Sequence, residues 1–336
     1  MAPTRNQPKR SVLITARLIT AIVSIAGAEG VLWFGGYPSW WLESSSGDDA
    51  SYHQADAELG WIDREGQFDL SGSHRKDAFR YTIWSGGRRS TADREPAGNA
   101  ASRPQVMFFG DSYLFGYGLS DAETLPWIVQ ARHPELNVSN FGTPGYGTYQ
   151  SYLSMKKWAR PAPFVFYLLN DFHEGRNVGD TSWIRAVRKP PKDFFFPYAE
   201  LTNGSIEAHR SQGEMVWPVA RRLRTMALVE DYYQIIRSYP RVRKKQQVTE
   251  ALLVKMNECV RRNAGNFAVI LFELTPDKRK HYREFLASRH IAFVDCDRPE
   301  MSDRKLRLPD GHPNVKMNQL LAEWIDPMLV LSARNR

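Results

Sequence analysis

Residues 106–113 read Val106-Met107-Phe108-Phe109-Gly110-Asp111-Ser112-Tyr113, an apolar run that ends in a short polar turn. This pattern is typical of a buried strand that leads into a tight turn. Such a turn would leave the Ser112 hydroxyl accessible at the carboxyl end of a sheet, with its backbone N–H near a helix start. Nucleophilic catalysis needs that placement, because donors beside the oxygen must hold the developing negative charge. Ser112 is therefore a candidate nucleophile, although Gly-Asp-Ser also occurs in ordinary turns.

The run at 106–109 is the first of five short apolar runs that predict buried parallel strands. They are Val106–Phe109, Leu136–Phe141, Phe164–Leu169, Phe267–Leu274 and Ile291–Val294. Helical patterns alternate with them, at Thr124–Arg132, Thr148–Trp158, Val248–Arg262, Lys278–Ser288 and Lys316–Leu331. Alternating strands and helices predict an α/β fold in which helices cover both sides of a parallel sheet.

Two segments interrupt this alternation. Residues 36–103 carry Pro, Gly and Ser clusters and several tryptophans without sustained periodicity, and we expect a lead-in segment that covers part of the core. Residues from about 173 to 247 lie between the third and fourth strands and are basic and aromatic. We expect them to form an insertion over the active face. The insertion contains Phe194-Phe195-Phe196 and a helical pattern at Val219–Ile236.

The amino terminus has the pattern of a membrane anchor or an export signal. Ser11–Phe34 is mostly apolar and is long enough to cross a bilayer, with Arg17 and Glu29 as its charges. Basic residues precede it and acidic residues follow it, at Arg5, Lys9, Arg10, Glu43, Asp48, Asp49, Asp56 and Glu58. The positive-inside rule then predicts a cytoplasmic tail and an exported domain, in the periplasm or otherwise outside the cytoplasm. We favour an uncleaved anchor within residues 1–35; a signal peptide cleaved near Ala26-Gly27-Ala28 is the alternative.

The amino-acid composition limits the kinds of partner and cofactor that we expect for the chain. The 336 residues are 42% hydrophobic and include 10 tryptophans, which indicates a folded core. The net charge of +8 is concentrated in part between Arg210 and Arg262, where a solvated helix face is the simplest interpretation. No recognition motif accompanies that stretch, so we expect no nucleic-acid partner. The two cysteines, Cys259 and Cys296, have no metal-ligand or redox spacing, so we expect no metal and no cofactor. We expect two buried free thiols; a disulfide between them in an oxidising compartment is the alternative.

Two further loops are predicted at the same edge of the sheet as Ser112, because sites gather beyond the carboxyl ends of parallel strands. Gly142-Thr143-Pro144-Gly145-Tyr146-Gly147 follows the second strand, and its glycines allow backbone N–H groups to approach a ligand closely. Asn170-Asp171 follows the third strand. Its amide could donate to an oxyanion, and an Asx turn or a helix cap is the alternative.

A candidate general base follows the fifth strand, in Asp310-Gly311-His312-Pro313-Asn314. His312 could take the Ser112 proton and return it to the leaving group, while Asp310 orients the imidazole. The chain has eight histidines. His173, beside Asn170-Asp171, is the nearest competitor for the role of base.

Together these residues resemble the SGNH/GDSL family of serine hydrolases. The four blocks of the family occur in order, at Gly110-Asp111-Ser112, Asn140-Phe141-Gly142-Thr143-Pro144-Gly145, Asn170-Asp171 and Asp310-Gly311-His312-Pro313-Asn314. The resemblance covers roughly residues 104–172 and 250–332. It implies a hydrolase domain at 104–336 with a three-layer α/β/α sandwich and a flavodoxin-like sheet of five parallel strands. Exported, membrane-anchored bacterial members have a similar lead-in.

The resemblance also implies a role for each site residue. Ser112 is the nucleophile, His312 the base and Asp310 its partner. The N–H of Ser112, the N–H of Gly145 and the side chain of Asn170 form the oxyanion hole. Two features depart from the family pattern. Leucine rather than glycine precedes Asn170, and the aspartate lies two residues before the histidine instead of three, so that Asp303 is a possible substitute for Asp310.

We therefore expect an exported serine esterase that forms an acyl-enzyme on Ser112 and acts on O-acyl esters of envelope carbohydrate or lipid. An O-acyltransferase that acylates a cell-envelope polysaccharide would use the same triad, with a sugar hydroxyl in place of water. A non-catalytic glycan-binding protein on the same fold is a third alternative. The expected partners are a small-molecule, glycan or lipid ester and, through the amino-terminal helix, a membrane.

Overall fold

The computed structural model describes residues 10–37, 52–71, 78–96, 103–158, 161–186, 195–211, 217 and 222–334. The basic residues Arg5 and Lys9 and the acidic residues Glu43, Asp48 and Asp49 lie outside this part of the chain, as does Phe194. The chain divides into two compact units. The first comprises 1–47 and 213–237, and the second comprises 48–212 and 238–336.

The first unit contains the amino-terminal helix α1 (Arg10–Phe34) and the first part of a later helix, α7 (Arg224–Val242). None of the α1 residues is buried, and the helix is long and apolar enough to cross a membrane. Residues 219–221 of the helix predicted at Val219–Ile236 lie outside the described part of the chain. Within the described part, α7 begins at Arg224 and ends at Val242, six residues after the predicted end. Its length in the structure shows that residues beyond the periodic apolar pattern extend it.

The second unit is built on one eight-stranded sheet. Five neighbouring strands are parallel: β6 (Gln105–Gly110), β7 (Asn137–Gly142), β8 (Phe164–Leu169), β11 (Asn266–Leu271) and β12 (Ala292–Asp295). Their order across the sheet is β12-β11-β8-β6-β7. All six residues of β8 are buried, which explains its uninterrupted apolar run. The predicted α/β fold is confirmed, and all five predicted strands form.

The predicted size of the sheet, five strands, is wrong. The lead-in segment adds three antiparallel strands, β3 (Gly66–Leu70), β4 (Phe79–Trp84) and β5 (Arg88–Arg89), in the order β7-β5-β4-β3. The lead-in also forms a hairpin from β1 (His53–Asp56) and β2 (Gly60–Asp63). These strands have two to six residues, and β3 alternates between exposed and partly buried positions. Runs that short do not produce a periodic signal above the background of turns.

Helices cover both faces of the sheet. Strand residues Val106 and Phe108 pack in one apolar cluster with α3 (Leu125–Arg132) and α10 (Val315–Arg334). The intervening residues Met107 and Phe109 pack in the opposite cluster with three other helices. Those helices are α4 (Thr148–Trp158), α8 (Lys245–Arg262) and α9 (Pro276–Ser288). Because successive strand residues point to opposite faces, one apolar run supplies both cores.

The segment between β8 and β11 carries most of the remaining elements. These are α5 (His173–Asn177), α6 (Thr181–Ala186), the hairpin of β9 (Phe196–Thr202) and β10 (Ser205–Ser211), and α7. Phe195 and Phe196 are buried, which indicates a role in packing. The hairpin packs with Trp61 of the lead-in and with α4, so part of this segment completes the core of the second unit.

Candidate active site

The turn after β6 presents Ser112 as the first residue of a short helix, α2 (Ser112–Phe115). Asp111 is the N-cap, and its carboxylate accepts a hydrogen bond from the Tyr113 N–H at 3.0 Å. Capping by Asp stabilises the helix start by satisfying an N–H that has no partner within the helix. The side chain of Ser112 lies at the carboxyl end of β6, and the residue keeps 9% of its surface exposed.

His312 and Asp310 meet Ser112 at this edge of the sheet. The distance from His312 Nε2 to Ser112 Oγ is 3.1 Å, and that from His312 Nδ1 to Asp310 Oδ2 is 3.0 Å. The second Asp310 oxygen accepts a hydrogen bond from the His312 backbone N–H at 3.1 Å. With Nδ1–H donated to the carboxylate, Nε2 is left as the acceptor for the serine hydroxyl.

The His312 loop is held by backbone and ring contacts. The Leu308 N–H donates to the His312 carbonyl at 2.8 Å, and Arg307 and Pro313 form an isolated β-bridge. The imidazole contacts two aromatic rings, with ring centroids 5.2 Å from Tyr113 and 4.8 Å from Tyr117. These contacts limit rotation of the imidazole, which a general base needs in order to face its hydroxyl.

The loop after β7 brings Gly145 to the same edge. Gly145 has a φ of +87°, a conformation that favours glycine. A Cβ there would lie 3.0 Å from the Trp61 ring and 3.1 Å from the Trp183 ring. Trp61 donates through Nε1 to the Pro144 carbonyl at 3.1 Å, so the lead-in supports this loop. Among the described residues, the Gly145 N–H donates no backbone hydrogen bond.

Asn170 and Asp111 belong to one buried polar group. Asn170 Nδ2 donates to Asp111 Oδ2 at 2.8 Å, and Asn170 Oδ1 accepts from the Phe172 N–H at 3.1 Å. The Asx turn that the sequence left open is therefore present. An amide nitrogen carries two hydrogens, so the contact with Asp111 orients the group and uses only one of them.

Arg176, on α5, is a residue of the site that the sequence did not reveal. Its Nη1 donates to Asp111 Oδ2 at 2.8 Å and to the Tyr146 carbonyl at 2.9 Å. Arg176 therefore links Asp111, the residue before Ser112, to Tyr146, the residue after Gly145. The available signal was a single basic residue six positions after Asn170, which has no distinctive spacing.

Charge around Asp111 keeps this carboxylate ionised. Burial by itself raises the pKa of Asp111, but His173, Arg176 and Asn170 outweigh it and hold the pKa below its usual range. Burial in turn lowers the pKa of His173, against the opposing effect of Asp111. Arg176 and Asn170 both donate hydrogen bonds to Asp111 Oδ2, and His173 Nε2 lies 3.2 Å from the same oxygen.

His173 and Asp303, the alternatives to His312 and Asp310, have other contacts. His173 is fully buried, with Nδ1 2.6 Å from the Tyr167 hydroxyl and Nε2 3.2 Å from Asp111 Oδ2. Asp303 caps a 3₁₀ turn by accepting from the Lys305 N–H at 2.9 Å. These side chains are thus engaged away from Ser112 and His312. Both cysteines are free thiols, and no group of three His, Cys, Asp or Glu residues within the described ranges is arranged to hold a metal.

Comparison with known proteins gives matches among solved structures only. No family model matches the chain, and no curated protein does. The structure of TesA matches at 14% identity over 68% of this chain and 99% of that chain, with a TM-score of 0.41. A lipolytic G-D-S-L family protein from Veillonella parvula matches at 15% identity over 66% and 95%, with a TM-score of 0.38.

The psychrotrophic esterase EstA from Pseudoalteromonas sp. matches at 13% identity over 67% of this chain and 98% of that chain, with a TM-score of 0.37. All three TM-scores are below 0.5. The chain resembles the SGNH/GDSL serine hydrolases in its four sequence blocks, and the solved structures that match it include members of that family.

Proposed function

We propose that this protein is a serine esterase of the SGNH/GDSL type that cleaves carboxylic esters through an acyl-enzyme on Ser112. One observation carries the proposal: Ser112 Oγ, the His312 imidazole and the Asp310 carboxylate are joined by contacts of 3.1 and 3.0 Å across 200 residues of sequence. A nucleophile, a base and a group that orients the base are the minimum set for this chemistry. The strand order of the parallel part of the sheet is consistent with a flavodoxin-like core.

In the acylation step, Ser112 Oγ attacks the ester carbonyl carbon while its proton passes to His312 Nε2. Asp310 holds the Nδ1–H and stabilises the imidazolium that forms. The Ser112 N–H, the Gly145 N–H and the free hydrogen of Asn170 Nδ2 would donate to the oxyanion. The tetrahedral intermediate then expels the alcohol, which takes the proton from His312, and the acyl group remains on Ser112.

In the second step a water molecule attacks the carbonyl carbon of the acyl-enzyme and gives one proton to His312. The bond to Ser112 Oγ then breaks, His312 returns the proton to that oxygen, and the carboxylic acid leaves. Exposure at the site supports water as the acceptor. The His312 side chain is 21% exposed, and Phe172, two residues after Asn170, is 54% exposed. Acyl transfer to a sugar in preference to hydrolysis would require the site to exclude water. This observation favours the esterase over the O-acyltransferase.

We further propose that α1 anchors the protein and that the catalytic domain lies outside the cytoplasm. The absence of buried residues on α1 supports an anchor over a core helix. The positive charge before the apolar stretch and the negative charge after it support this orientation. In that location the accessible esters are O-acyl groups on envelope carbohydrate or lipid, which we propose as the substrate class.

The esterase proposal is tested with aryl esters of increasing acyl length and with O-acetylated sugars, in water and with an excess of a free sugar acceptor. We expect hydrolysis to the free acid as the main reaction in both conditions. A serine-reactive fluorophosphonate probe should label the protein once. Quantitative transfer of the acyl group to the sugar would favour the O-acyltransferase. Absence of both turnover and labelling would favour the non-catalytic alternative.

The role of Asp310 predicts a large rate effect from a small change. Asp310→Asn should lower turnover about 10³- to 10⁴-fold, because the neutral amide can hold the imidazole in the wrong tautomer. Asp303→Asn is the matched control, since asparagine caps the turn at Lys305 as well as aspartate does and the rate should stay near wild type. The measurement is kcat for an aryl ester. The reverse ranking of the two variants would assign the partner role to Asp303.

A further inference from the structure

The α7 helix of the first unit exposes its apolar face. Val229, Tyr232, Tyr233 and Ile236 are 51%, 61%, 47% and 71% exposed, respectively. Their spacing of three, four and seven residues places them on one face of the helix. An exposed stripe of large apolar side chains on a regular helix is the opposite of what a soluble helix presents to water.

Three polar residues of the same helix point inward. Glu230, Asp231 and Gln234 are all buried. Glu230 Oε1 accepts a hydrogen bond from the Trp217 N–H at 3.1 Å, and Asp231 accepts one from the Tyr37 hydroxyl. The orientation of α7 is therefore fixed by polar contacts to the protein. Rotation of the helix to bury its apolar face would break them.

The amino end of α7 is attached to the carboxyl-terminal part of α1. The Glu29 carboxylate accepts hydrogen bonds from the Arg224 N–H at 3.0 Å and from the Thr225 N–H at 2.7 Å. The Thr225 hydroxyl donates to the same carboxylate at 2.7 Å, and Arg224 Nε donates to the Tyr37 carbonyl at 3.1 Å. Glu29 thus supplies acceptors to N–H groups at the first turn of α7, where a carboxylate is most favourable.

This attachment places α7 where α1 would leave a bilayer. Glu29 lies about one turn before the end of α1, and Tyr37 follows it closely. The α7 helix also carries charges, including Arg224, Glu230, Asp231 and Arg237, which make it too polar to span the hydrocarbon. A helix that separates an apolar face from a charged and polar one lies in the plane of the membrane interface. Tyrosine is enriched at that depth, because its ring is apolar and its hydroxyl is polar.

We propose that α7 is an interfacial helix that inserts Val229, Tyr232, Tyr233 and Ile236 into the headgroup boundary of the bilayer that α1 spans. The exposed residues Arg222 and Arg237 favour a leaflet that contains anionic phospholipid. This inference rests on the proposed anchor and is independent of the esterase activity. It gives the first unit two membrane contacts, one through the bilayer and one along its surface.

The test uses the full chain in lipid nanodiscs of phosphatidylcholine and phosphatidylglycerol. A polarity-sensitive fluorophore is attached to Ile236→Cys in a Cys259→Ala background, which leaves the buried Cys296. Quenching is measured with nitroxide on the lipid acyl chains and with iodide in the water. We expect the lipid quencher to act several-fold more strongly at Ile236→Cys than at Arg237→Cys, the adjacent exposed position, which borders the stripe and carries a charge in the wild type. Val229→Cys and Tyr232→Cys should behave like Ile236→Cys.

Three other outcomes would overturn the inference. A label at position 236 that iodide reaches as easily as at position 237 would place the apolar face in water. A label shielded from both quenchers would mean that a second copy or another protein covers the face. Protein that does not co-elute with the discs would remove the α1 anchor and the α7 proposal together. Fluorophosphonate labelling of the same samples reports the esterase separately, so failure of one proposal is distinguishable from failure of the other.

Discussion

Replacement of Ser112 by alanine is expected to lower ester turnover about 10⁶-fold, because the variant lacks the atom that forms the acyl-enzyme and leaves the base without a nucleophile. The Ser112 hydroxyl hydrogen-bonds His312 at a position that keeps some exposure to water. Its loss should change the free energy of unfolding by no more than about 1 kcal/mol. The measurements are kcat with an aryl ester, fluorophosphonate labelling and thermal unfolding of the same preparation.

Ser151→Ala is the matched control. Ser151 is buried on α4, and its Oγ has no hydrogen-bond partner among the described residues, so the substitution removes a hydroxyl without removing a contact. Turnover and labelling should remain at the wild-type level. Persistence of labelling in Ser112→Ala would identify another nucleophile and would contradict the acyl-enzyme proposed here, whatever the effect on the rate.

The parallel part of the sheet could be predicted from the sequence because four of its five strands are almost fully buried, β12 being the exception. Residues 106–109 and 164–169 are uninterrupted apolar runs, and helical patterns separate the runs along the chain. Since all carboxyl ends of parallel strands lie at one edge, the loop of Ser112 and that of His312 could be expected to meet. Their 3.1 Å contact depends on strand topology, which short-range patterns constrain strongly.

The contacts that position the site could not be predicted in the same way. Trp61 supports the Gly145 loop from the lead-in, and Arg176 links Asp111 to Tyr146. Each is one side chain whose partner lies far away in the sequence or in a loop, so no periodicity marks it. The sequence also did not predict which face of α7 the protein covers. An amphipathic pattern gives two faces but does not tell which of them the protein covers.

Arg89 should be among the side chains on which the stability of the second unit depends most. It is fully buried on β5, and its guanidinium donates to the Phe115, Gly116 and Leu119 carbonyls at 3.0, 2.8 and 2.5 Å. These carbonyls follow Ser112 closely, and loss of the guanidinium would remove the donor that they share. Asp121 lies 3.3 Å from the same group and would lose its cationic partner.

Arg89→Met is therefore expected to lower the free energy of unfolding by about 3–5 kcal/mol, the range for breaking a buried, hydrogen-bonded ion pair. Methionine fills much of the same volume, so the loss reports the polar contacts more than a cavity. Arg89→Lys should be intermediate, because an ammonium cannot reproduce the planar fork that serves several carbonyls. Denaturant titration with a fluorescence or circular dichroism signal measures the three proteins under the same conditions.

Arg80→Met is the matched control on the neighbouring strand. Arg80 is about half exposed and pairs with Asp69 across β3 and β4, where water competes for both charges. Its loss should leave the unfolding curve close to wild type. If Arg89→Met unfolded at the same denaturant concentration as Arg80→Met, the buried guanidinium would not hold the segment after the nucleophile. The order of the two variants therefore decides whether the lead-in is a structural part of the catalytic domain, because Arg89 belongs to the lead-in and the carbonyls it binds belong to the Ser112 loop.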